Sequence, residues 1–264
     1  MNNTSRFPLL REFRNNLAKI TLNRPESFNS FNREMALALQ KTLDECAQNK
    51  DVRAILITGK GKAFCAGQDL KEVTSEKLNP GFKAILDEHY NPIIRRIREI
   101  EKPVIAAVNG VAAGAGANIA LACDVVVASE NASFIQAFSK IGLIPDSGGT
   151  YFLPRLIGFQ KASALMLLGD KVSAEEAEKM GMVYKVFPAE NFREEAEQIA
   201  EKLAQMPTGA LGKTKQALNA SLENSLEEQL KLESKLQIEC AQGAEYKEGV
   251  TAFVEKRKPN FKGK

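Results

Sequence analysis

The stretch NGVAAGAGAN at residues 109–118 contains only glycine and alanine apart from one valine and its two asparagines. The apolar segment PVIAAV at 103–108 predicts a buried strand before it, and IALA at 119–122 predicts a packed helix after it. Small residues between a strand and a helix let a ligand approach bare backbone, and the first N–H groups of a helix have no partner within it. The order therefore predicts one wall of an anion or oxyanion site, although close packing of helix on sheet would also explain it.

Strands and helices alternate on both sides of this stretch. The segments predicted as strands are 17–22, 53–58, 103–108 and 124–128, and those predicted as helices among them are 35–46 and 85–100. Residues 54–57 are apolar on both faces, which is typical of a parallel sheet, and the polar segment 71–80 is predicted to be an irregular loop. After residue 169 the chain is predicted to be helical at 174–180, 191–205 and 208–242. We therefore predict an α/β core over 1–195 and a helical lid or trimerisation region over 196–264.

Composition narrows the function classes. Lys and Arg number 36 against 33 Asp and Glu, so the net charge of +3 gives no reason to expect a nucleic acid or an anionic membrane as partner. The chain has no apolar run near membrane-spanning length and no leader pattern, so we expect a cytoplasmic protein. Cys46, Cys65, Cys123 and Cys240 are far apart, which predicts buried reduced thiols. The single histidine, His89, excludes a multi-histidine metal site and is predicted to lie on the surface.

Two glycine-containing loops, at 65–69 and 110–117, each follow a predicted strand. Ligands of parallel α/β folds bind at the carboxyl ends of strands, so one N–H from each loop could meet at a single oxygen and form an oxyanion hole. Asp146 follows a third segment, and a carboxylate beside such a hole suits removal of a proton next to a carbonyl. Alternatively, Asp146 caps a helix that begins near Ser147. Asp69 is predicted to bind a loop N–H and shape its turn.

Other chemistries fit less well. A Ser-His-Asp hydrolase would need His89, and the chain has no G-x-S-x-G motif to pair with it. A dinucleotide site would place the third glycine of its fingerprint at Ile119. Cys65 has no neighbouring base in the sequence that would make it a nucleophile, so a packed thiol is the better interpretation.

Several motifs occur together in an order that identifies a family. They are LNRP at 22–25, FCAGQDL at 64–70, the segment 103–110, GLIP at 142–145 with GG at 148–149, and GVTAFVEKR at 249–257. On these motifs, which span nearly all of the sequence, the chain is identified as a member of the crotonase (enoyl-CoA hydratase/isomerase) superfamily. The resemblance implies a β-β-α spiral fold with a helical C-terminal region, assembled as a trimer or a dimer of trimers. It also implies an acyl-CoA thioester substrate, of which CoA is a part. We expect the reaction to require no metal or redox cofactor.

The resemblance also assigns residues. The oxyanion-hole N–H groups would be those of Gln68 and Ala115, where the side-chain type has no direct role. The residues assigned to the substrate or its CoA are Ala66, Gly67, Asp69, Leu70, Asn118, Phe138, Lys256 and Arg257. Among these, Ala66 would meet the adenine, and the basic pair at 256–257 would approach the CoA phosphates, from a neighbouring subunit if necessary. A merely solvated basic tail is the alternative.

The chain departs from the hydratases of the family where they carry two catalytic glutamates. These positions correspond to Asn118 and Phe138, neither of which can act as a base, while Asp146 stands where hydratases have a small residue. One carboxylate in an apolar pocket suits proton shuttling, and hence an isomerase. Segments 137–146 and 90–92 resemble the family's isomerases of phenylacetate degradation, which implies ring-epoxide and 3-enoyl-CoA substrates. The alternatives are a fatty-acid enoyl-CoA isomerase, a hydratase, and a non-catalytic acyl-CoA- or RNA-binding member.

Overall fold

The structure, a computed structural model, describes residues 7–263, which form ten strands and twelve α-helices. The strands are β1 (Leu9–Arg14), β2 (Leu17–Leu22), β3 (Ala54–Gly59), β4 (Ala63–Cys65), β5 (Val104–Val108), β6 (Val111–Ala113), β7 (Val125–Ser129), β8 (Ser133–Ile135), β9 (Lys171–Ser173) and β10 (Lys185–Phe187). The helices are α1 (Arg33–Gln48), α2 (Leu70–Val73), α3 (Phe82–Ala84), α4 (Asn91–Glu99), α5 (Ala115–Leu121), α6 (Gly149–Ile157), α7 (Phe159–Leu168), α8 (Ala174–Lys179), α9 (Phe192–Ala204), α10 (Thr208–Ala220), α11 (Leu226–Gln242) and α12 (Ala244–Val254). A π-helical segment, Ile85–Tyr90, joins α3 to α4.

The strands form two sheets that the chain visits in turn. One sheet has the order β1-β2-β3-β5-β7-β10 and the other β4-β6-β8-β9. The strands β3 and β4, β5 and β6, and β7 and β8 follow each other in the chain. Each pair adds one strand to each sheet, and helices then connect it to the next pair. All pairings are parallel except β1 with β2 and β8 with β9. This arrangement is the predicted β-β-α spiral, and the α/β class is confirmed.

The corner between the two sheets requires glycine. A Cβ atom at Gly59 would lie 2.2 Å from the carbonyl oxygen of Ala63, and one at Gly110 would lie 2.1 Å from that of Lys62. Both distances are far below van der Waals contact, so only a residue without a side chain lets successive turns of the spiral approach this closely.

Two apolar cores cover the faces of the six-stranded sheet. Every residue of β5 is buried, as expected for a central parallel strand. One core contains the predicted helix face of α1, with Met35, Leu39, Leu43 and Cys46 all fully buried. The other lies under α9, whose Ala196, Ala200 and Ala204 repeat at four-residue spacing and let that helix lie close to the sheet.

The C-terminal part is helical, as predicted, with two differences in detail. The expected helix 208–242 is two helices, because Ser225 and Glu228 form a capping box that begins α11 after a break at 221–225. The proposed boundary at residue 195 falls inside α9, which contacts strands of the core, and the division of the chain there stays a prediction. None of the helices within residues 7–263 is long and apolar enough to span a bilayer.

The structure differs from the sequence predictions in three places. Strand β1 was not predicted, because it is an antiparallel edge strand with only its first residue buried and therefore lacks an alternating pattern. The segment 71–80, predicted to be irregular, is irregular from residue 74 onward, and only its first three residues belong to the short helix α2. The stretch 109–118 is not one loop, because it contains β6, and its helix begins at Ala115 rather than after residue 118.

Candidate active site

The carboxyl ends of three neighbouring strands, β4, β6 and β8, form the site. These strands pair in parallel, with Cys65 opposite Ala112 and Ala113 opposite Ile135. The residues that follow them are therefore adjacent in space. They are the segment 66–69 after β4, the segment 114–118 after β6, and Gln136 with Phe138 after β8.

The backbone N–H of Gln68 is directed away from the loop's own hydrogen bonds. The loop pairs with Phe31, which donates its N–H to the Gly67 oxygen at 2.7 Å and accepts the Asp69 N–H at 2.8 Å. Successive residues of an extended segment present their backbone groups to opposite sides, so the Gln68 N–H faces the other side from Phe31. Among residues 7–263 this N–H has no acceptor.

The backbone N–H of Ala115 begins helix α5. The residue before it, Gly114, has φ +53° and donates its own N–H to the Ile135 oxygen at 2.9 Å. As the first residue of a helix, Ala115 has no intrahelical acceptor, and the described chain supplies none from elsewhere. A Cβ built at Gly67 would lie 3.5 Å from the Ala115 nitrogen, so the loops that carry the two N–H groups touch.

The side chain of Gln68 is fixed by two hydrogen bonds that the sequence did not predict. Its Oε1 accepts the hydroxyl of Tyr90 at 2.8 Å, and its Nε2 donates to Glu72 at 2.8 Å. Tyr90 is 1% exposed and ends the π-helical segment, and such segments are frequent at functional sites. The amide therefore anchors the loop whose N–H faces the site. The sequence signal was the motif 90–92, whose role did not follow from its residue types.

Asp146 is held beside α5 by its neighbours. Its backbone oxygen accepts Asn118 Nδ2 at 2.8 Å, and its carboxylate Oδ1 accepts the Ser147 hydroxyl at 2.8 Å. The alternative prediction that Asp146 caps a helix near Ser147 is wrong. Helix α6 begins at Gly149, its N-cap residue is Gly148, and no side chain caps it.

Burial makes the ionised form of Asp146 less favourable than it is in water. Burial raises the pKa of Asp146 above the ordinary carboxyl value, and the hydrogen bond from Ser147 opposes part of that rise. Burial also raises the pKa of Tyr90 well above that of a free phenol, and the nearby Cys65 and Asp146 add to this effect. Phe138 is buried and its ring would lie 3.7 Å from a Cβ at Gly114, so this wall is apolar.

The loop residues assigned to CoA differ in exposure. Asp69 is buried and structural as predicted, since it accepts the Lys71 N–H at 2.9 Å and pairs with Arg24 at 2.7 Å. Ala66 and Leu70 are exposed, so they are accessible to a ligand. A role for these two in binding CoA stays a prediction.

The basic pair near the C-terminus is already partly engaged. Arg257 binds Glu248 and Glu255 at 2.7 and 2.6 Å, which neutralises its charge locally, while Lys256 is exposed. Helix α12, which precedes the pair, packs against α11. Among residues 7–263, no hydrogen bond or ion pair joins either residue to Asp146, and their predicted role at the CoA phosphates stays a prediction.

The cysteines and the histidine were the remaining candidates for a nucleophile or a metal ligand. Cys46, Cys65 and Cys123 are buried as predicted, and burial raises the pKa of Cys65 to about 12, so its thiol stays protonated. Cys240 is only partly buried. The prediction that His89 lies on the surface is wrong, because it is 1% exposed and its Nε2 lies 3.2 Å from Arg33. The described chain holds no cluster of three or more His, Cys, Asp or Glu side chains suited to a metal.

Comparison with known proteins identifies the family. The model of the family described as Enoyl-CoA hydratase/isomerase matches residues 12–264. The chain belongs to this family. Its fold is likewise that of a solved enoyl-CoA hydratase from Bacillus anthracis, with a TM-score of 0.90 at 33% identity over 97% of this chain and 100% of that one.

Relatives in this family carry both isomerase and hydratase names. The chain is 47% identical to the 1,2-epoxyphenylacetyl-CoA isomerase of Escherichia coli (strain K12), over 93% of this chain and 94% of the relative. It is 40% identical to the mitochondrial enoyl-CoA hydratase of Pongo abelii, over 94% and 84% respectively. The protein is therefore an enzyme of the acyl-CoA isomerase and hydratase family.

Proposed function

We propose that the protein is an acyl-CoA isomerase in which Asp146 is the single acid–base group. The observation that carries this proposal is that one site contains a partly buried carboxylate and two backbone N–H groups, those of Gln68 and Ala115, that have no acceptor within residues 7–263. At the positions of the hydratase glutamates, the buried Asn118 is already hydrogen-bonded to protein and Phe138 is apolar. Asp146 can therefore move a proton, whereas neither Asn118 nor Phe138 can activate a water molecule beside it.

The reaction follows from these groups. The thioester oxygen accepts hydrogen bonds from the Gln68 and Ala115 N–H groups, which stabilise the negative charge of an enolate. Asp146 removes the C2 proton of a 3-enoyl-CoA, and the charge spreads over the oxygen, C2 and C4. Protonation at C4 by the same carboxyl restores the carbonyl and leaves the double bond between C2 and C3. No atom is oxidised or reduced, so the reaction needs no redox cofactor, and the N–H groups carry the charge without a metal ion.

The acyl group proposed is the ring epoxide of phenylacetyl-CoA, which would rearrange to its oxepin form on the same oxyanion hole. Identity of 47% to an isomerase of that name supports this assignment. The exposed Ala66 and Leu70 flank the loop where the CoA would lie, and Lys256 is free to meet a phosphate.

The test is a paired assay of the purified protein. One arm offers a 3-enoyl-CoA and follows formation of the conjugated thioester, and the other offers crotonyl-CoA and follows its loss. We expect fast isomerisation and hydration slower by at least about a hundredfold, the size of contribution that one missing acid–base group makes. A hydration rate comparable to the isomerisation rate would favour the hydratase function that other relatives carry in their names. If isomerisation is seen, the ring epoxide is the next substrate to test.

We also propose that the chain forms a homo-oligomer through its C-terminal helices. A groove of about 1190 Å³ lies between α10, α11 and α12, and most of its surface area is apolar. Leu218, Leu230 and Phe253 in its wall are 61, 51 and 85% exposed, and large apolar patches of this kind mark protein interfaces.

Light scattering after size exclusion should give three or six times the chain mass of 29.0 kDa. The double variant Leu218→Glu, Phe253→Glu should shift the protein toward the single-chain mass, because it places two charges in the groove. Gln198→Glu on the exposed side of α9 is the control and should not. A wild-type protein of single-chain mass would contradict the proposal.

A further inference from the structure

The two carboxylate oxygens of Asp146 have different surroundings. Oδ1 accepts the Ser147 hydroxyl at 2.8 Å. No donor within residues 7–263 reaches Oδ2. A carboxylate normally rotates so that its oxygens exchange places, and a donor on one oxygen removes that freedom.

The peptide of Asp146 is held by a second set of hydrogen bonds. Asn118 Nδ2 donates to the Asp146 carbonyl oxygen, and Asn118 Oδ1 accepts Gln136 Nε2, each at 2.8 Å. Asn118 and Gln136 are 0 and 3% exposed, so both are shielded from competing water. A Cβ at Gly149 would come within 2.4 Å of Asn118 Nδ2, which shows how closely the turn lies on this amide.

Ser147 occupies a backbone conformation that disfavours serine. Its φ is +52°, in the left-handed region where glycine is the default, and the next residue, Gly148, has φ +73°. Backbone strain of this kind persists where the surrounding structure enforces it, and it concentrates at functional sites. Ser147 is 2% exposed, so its hydroxyl is shielded from solvent. Within residues 7–263 this hydroxyl donates to Asp146.

We propose that Ser147 is a positioning residue for the proton transfer: its hydroxyl holds Oδ1 of Asp146, so that Oδ2 is the oxygen that takes the C2 proton and returns it. Asn118 and Gln136 fix the peptide from which the carboxylate projects. This inference rests on the proposed function. It assigns a task to a buried serine that does not itself transfer the proton, and it accounts for a serine at a left-handed position that glycine would occupy without strain.

The test uses Ser147→Ala and Ser147→Gly. Both remove the hydroxyl, but glycine adopts positive φ without strain, so the glycine variant stays informative even if the alanine variant fails to fold. We expect kcat for 3-enoyl-CoA isomerisation to fall about tenfold in each, with KM within about twofold, because the hydroxyl hydrogen-bonds a charged group that acts only in the chemical step.

The pH profile separates positioning from a merely structural role. The hydroxyl stabilises the ionised carboxylate, so its loss raises the pKa of Asp146, and the acid limb of kcat should move to higher pH in both variants. Tyr90, whose pKa the nearby Asp146 helps to raise, stays neutral over the range in which the carboxyl titrates. An unmoved acid limb with unchanged kcat in Ser147→Gly would overturn the inference.

A substrate-free measurement keeps the two proposals distinguishable. Infrared difference titration of ¹³C-aspartate-labelled protein against Asp146→Asn reports the ionisation of this carboxyl directly. A higher titration point in Ser147→Gly than in wild type would support the role of Ser147 even if no isomerase activity were found. An equal titration point would reject that role even if the enzyme proved an efficient isomerase.

Discussion

Replacing Asp146 with asparagine should lower kcat for 3-enoyl-CoA isomerisation by about 10²–10⁴-fold, while KM changes by less than about threefold. The amide keeps the shape of the carboxyl and still offers an oxygen to the Ser147 hydroxyl, so the turn is preserved. It cannot accept the C2 proton, and positioned general bases contribute rate factors of this size. Initial rates of conjugated thioester formation, measured over a range of substrate concentrations, give both constants.

The matched control is Asp170→Asn, a substitution of the same type at an exposed aspartate before β9. It should leave kcat unchanged. Near wild-type turnover in Asp146→Asn would show that Asp146 does not transfer the proton. Another group would then have to act as the base.

The same variant should be more stable than wild type. Burial raises the pKa of Asp146 in the folded protein, so folding favours its neutral form, and stability is lost as pH rises through the folded-state pKa. Asparagine is neutral at every pH and avoids that loss. The melting temperature of Asp146→Asn should therefore exceed that of wild type at neutral pH, and the difference should vanish below the ordinary carboxyl pKa. A trade of stability for activity is common at catalytic sites.

Periodicity predicted the parts of the fold that depend on burial. Strand β5 and the face of α1 carry continuous or helical-period apolar residues, so the sequence located both. Strand β1 was not predicted, because an edge strand with one buried residue has no such pattern. Strands β6 and β8 are three residues long and are formed by pairing with neighbours distant in sequence, which no local propensity specifies.

For the site, the sequence predicted which loops lie together but not the side-chain contacts that fix them. Loops that follow parallel strands must share an edge, so the nearness of Gln68 and Ala115 followed from order alone. The contacts that fix them did not. Tyr90 reaches Gln68 across 22 positions, and Asn118 reaches Asp146 across 28, both through side chains whose direction depends on the packed core. The left-handed turn at Ser147 also gives no signal in the sequence, because serine is not typical of it.

Substituting Gly67 with alanine should lower kcat by about 10²–10³-fold, the loss that accompanies removal of one oxyanion-hole donor. Gly67 has φ +90°, and a Cβ there would lie 2.9 Å from the Ala113 oxygen. Because that atom belongs to the backbone of β6, the loop must move away from the strand. The Gln68 N–H follows Gly67 directly and moves with it. The measurement is the isomerisation rate, with CoA binding measured separately by calorimetry.

Gly158→Ala is the matched control, since Gly158 has φ +80° but its Cβ would meet nothing within 4 Å. Both variants place alanine at a positive φ, so the difference in kcat between them isolates the contact with Ala113. Rates within about threefold of each other would show that the Gln68 N–H does not stabilise the transition state.

Exchange of the C2 proton with deuterated water then separates the two halves of the mechanism. Enolate formation requires both a base and a stabilised oxygen, so exchange should fall with isomerisation in Gly67→Ala and in Asp146→Asn alike. Acid–base rescue distinguishes them. An added small carboxylate can replace the missing proton acceptor of Asp146→Asn, but it cannot restore an N–H that has moved. Rescue confined to Asp146→Asn would assign proton transfer to Asp146 and charge stabilisation to the Gln68 loop.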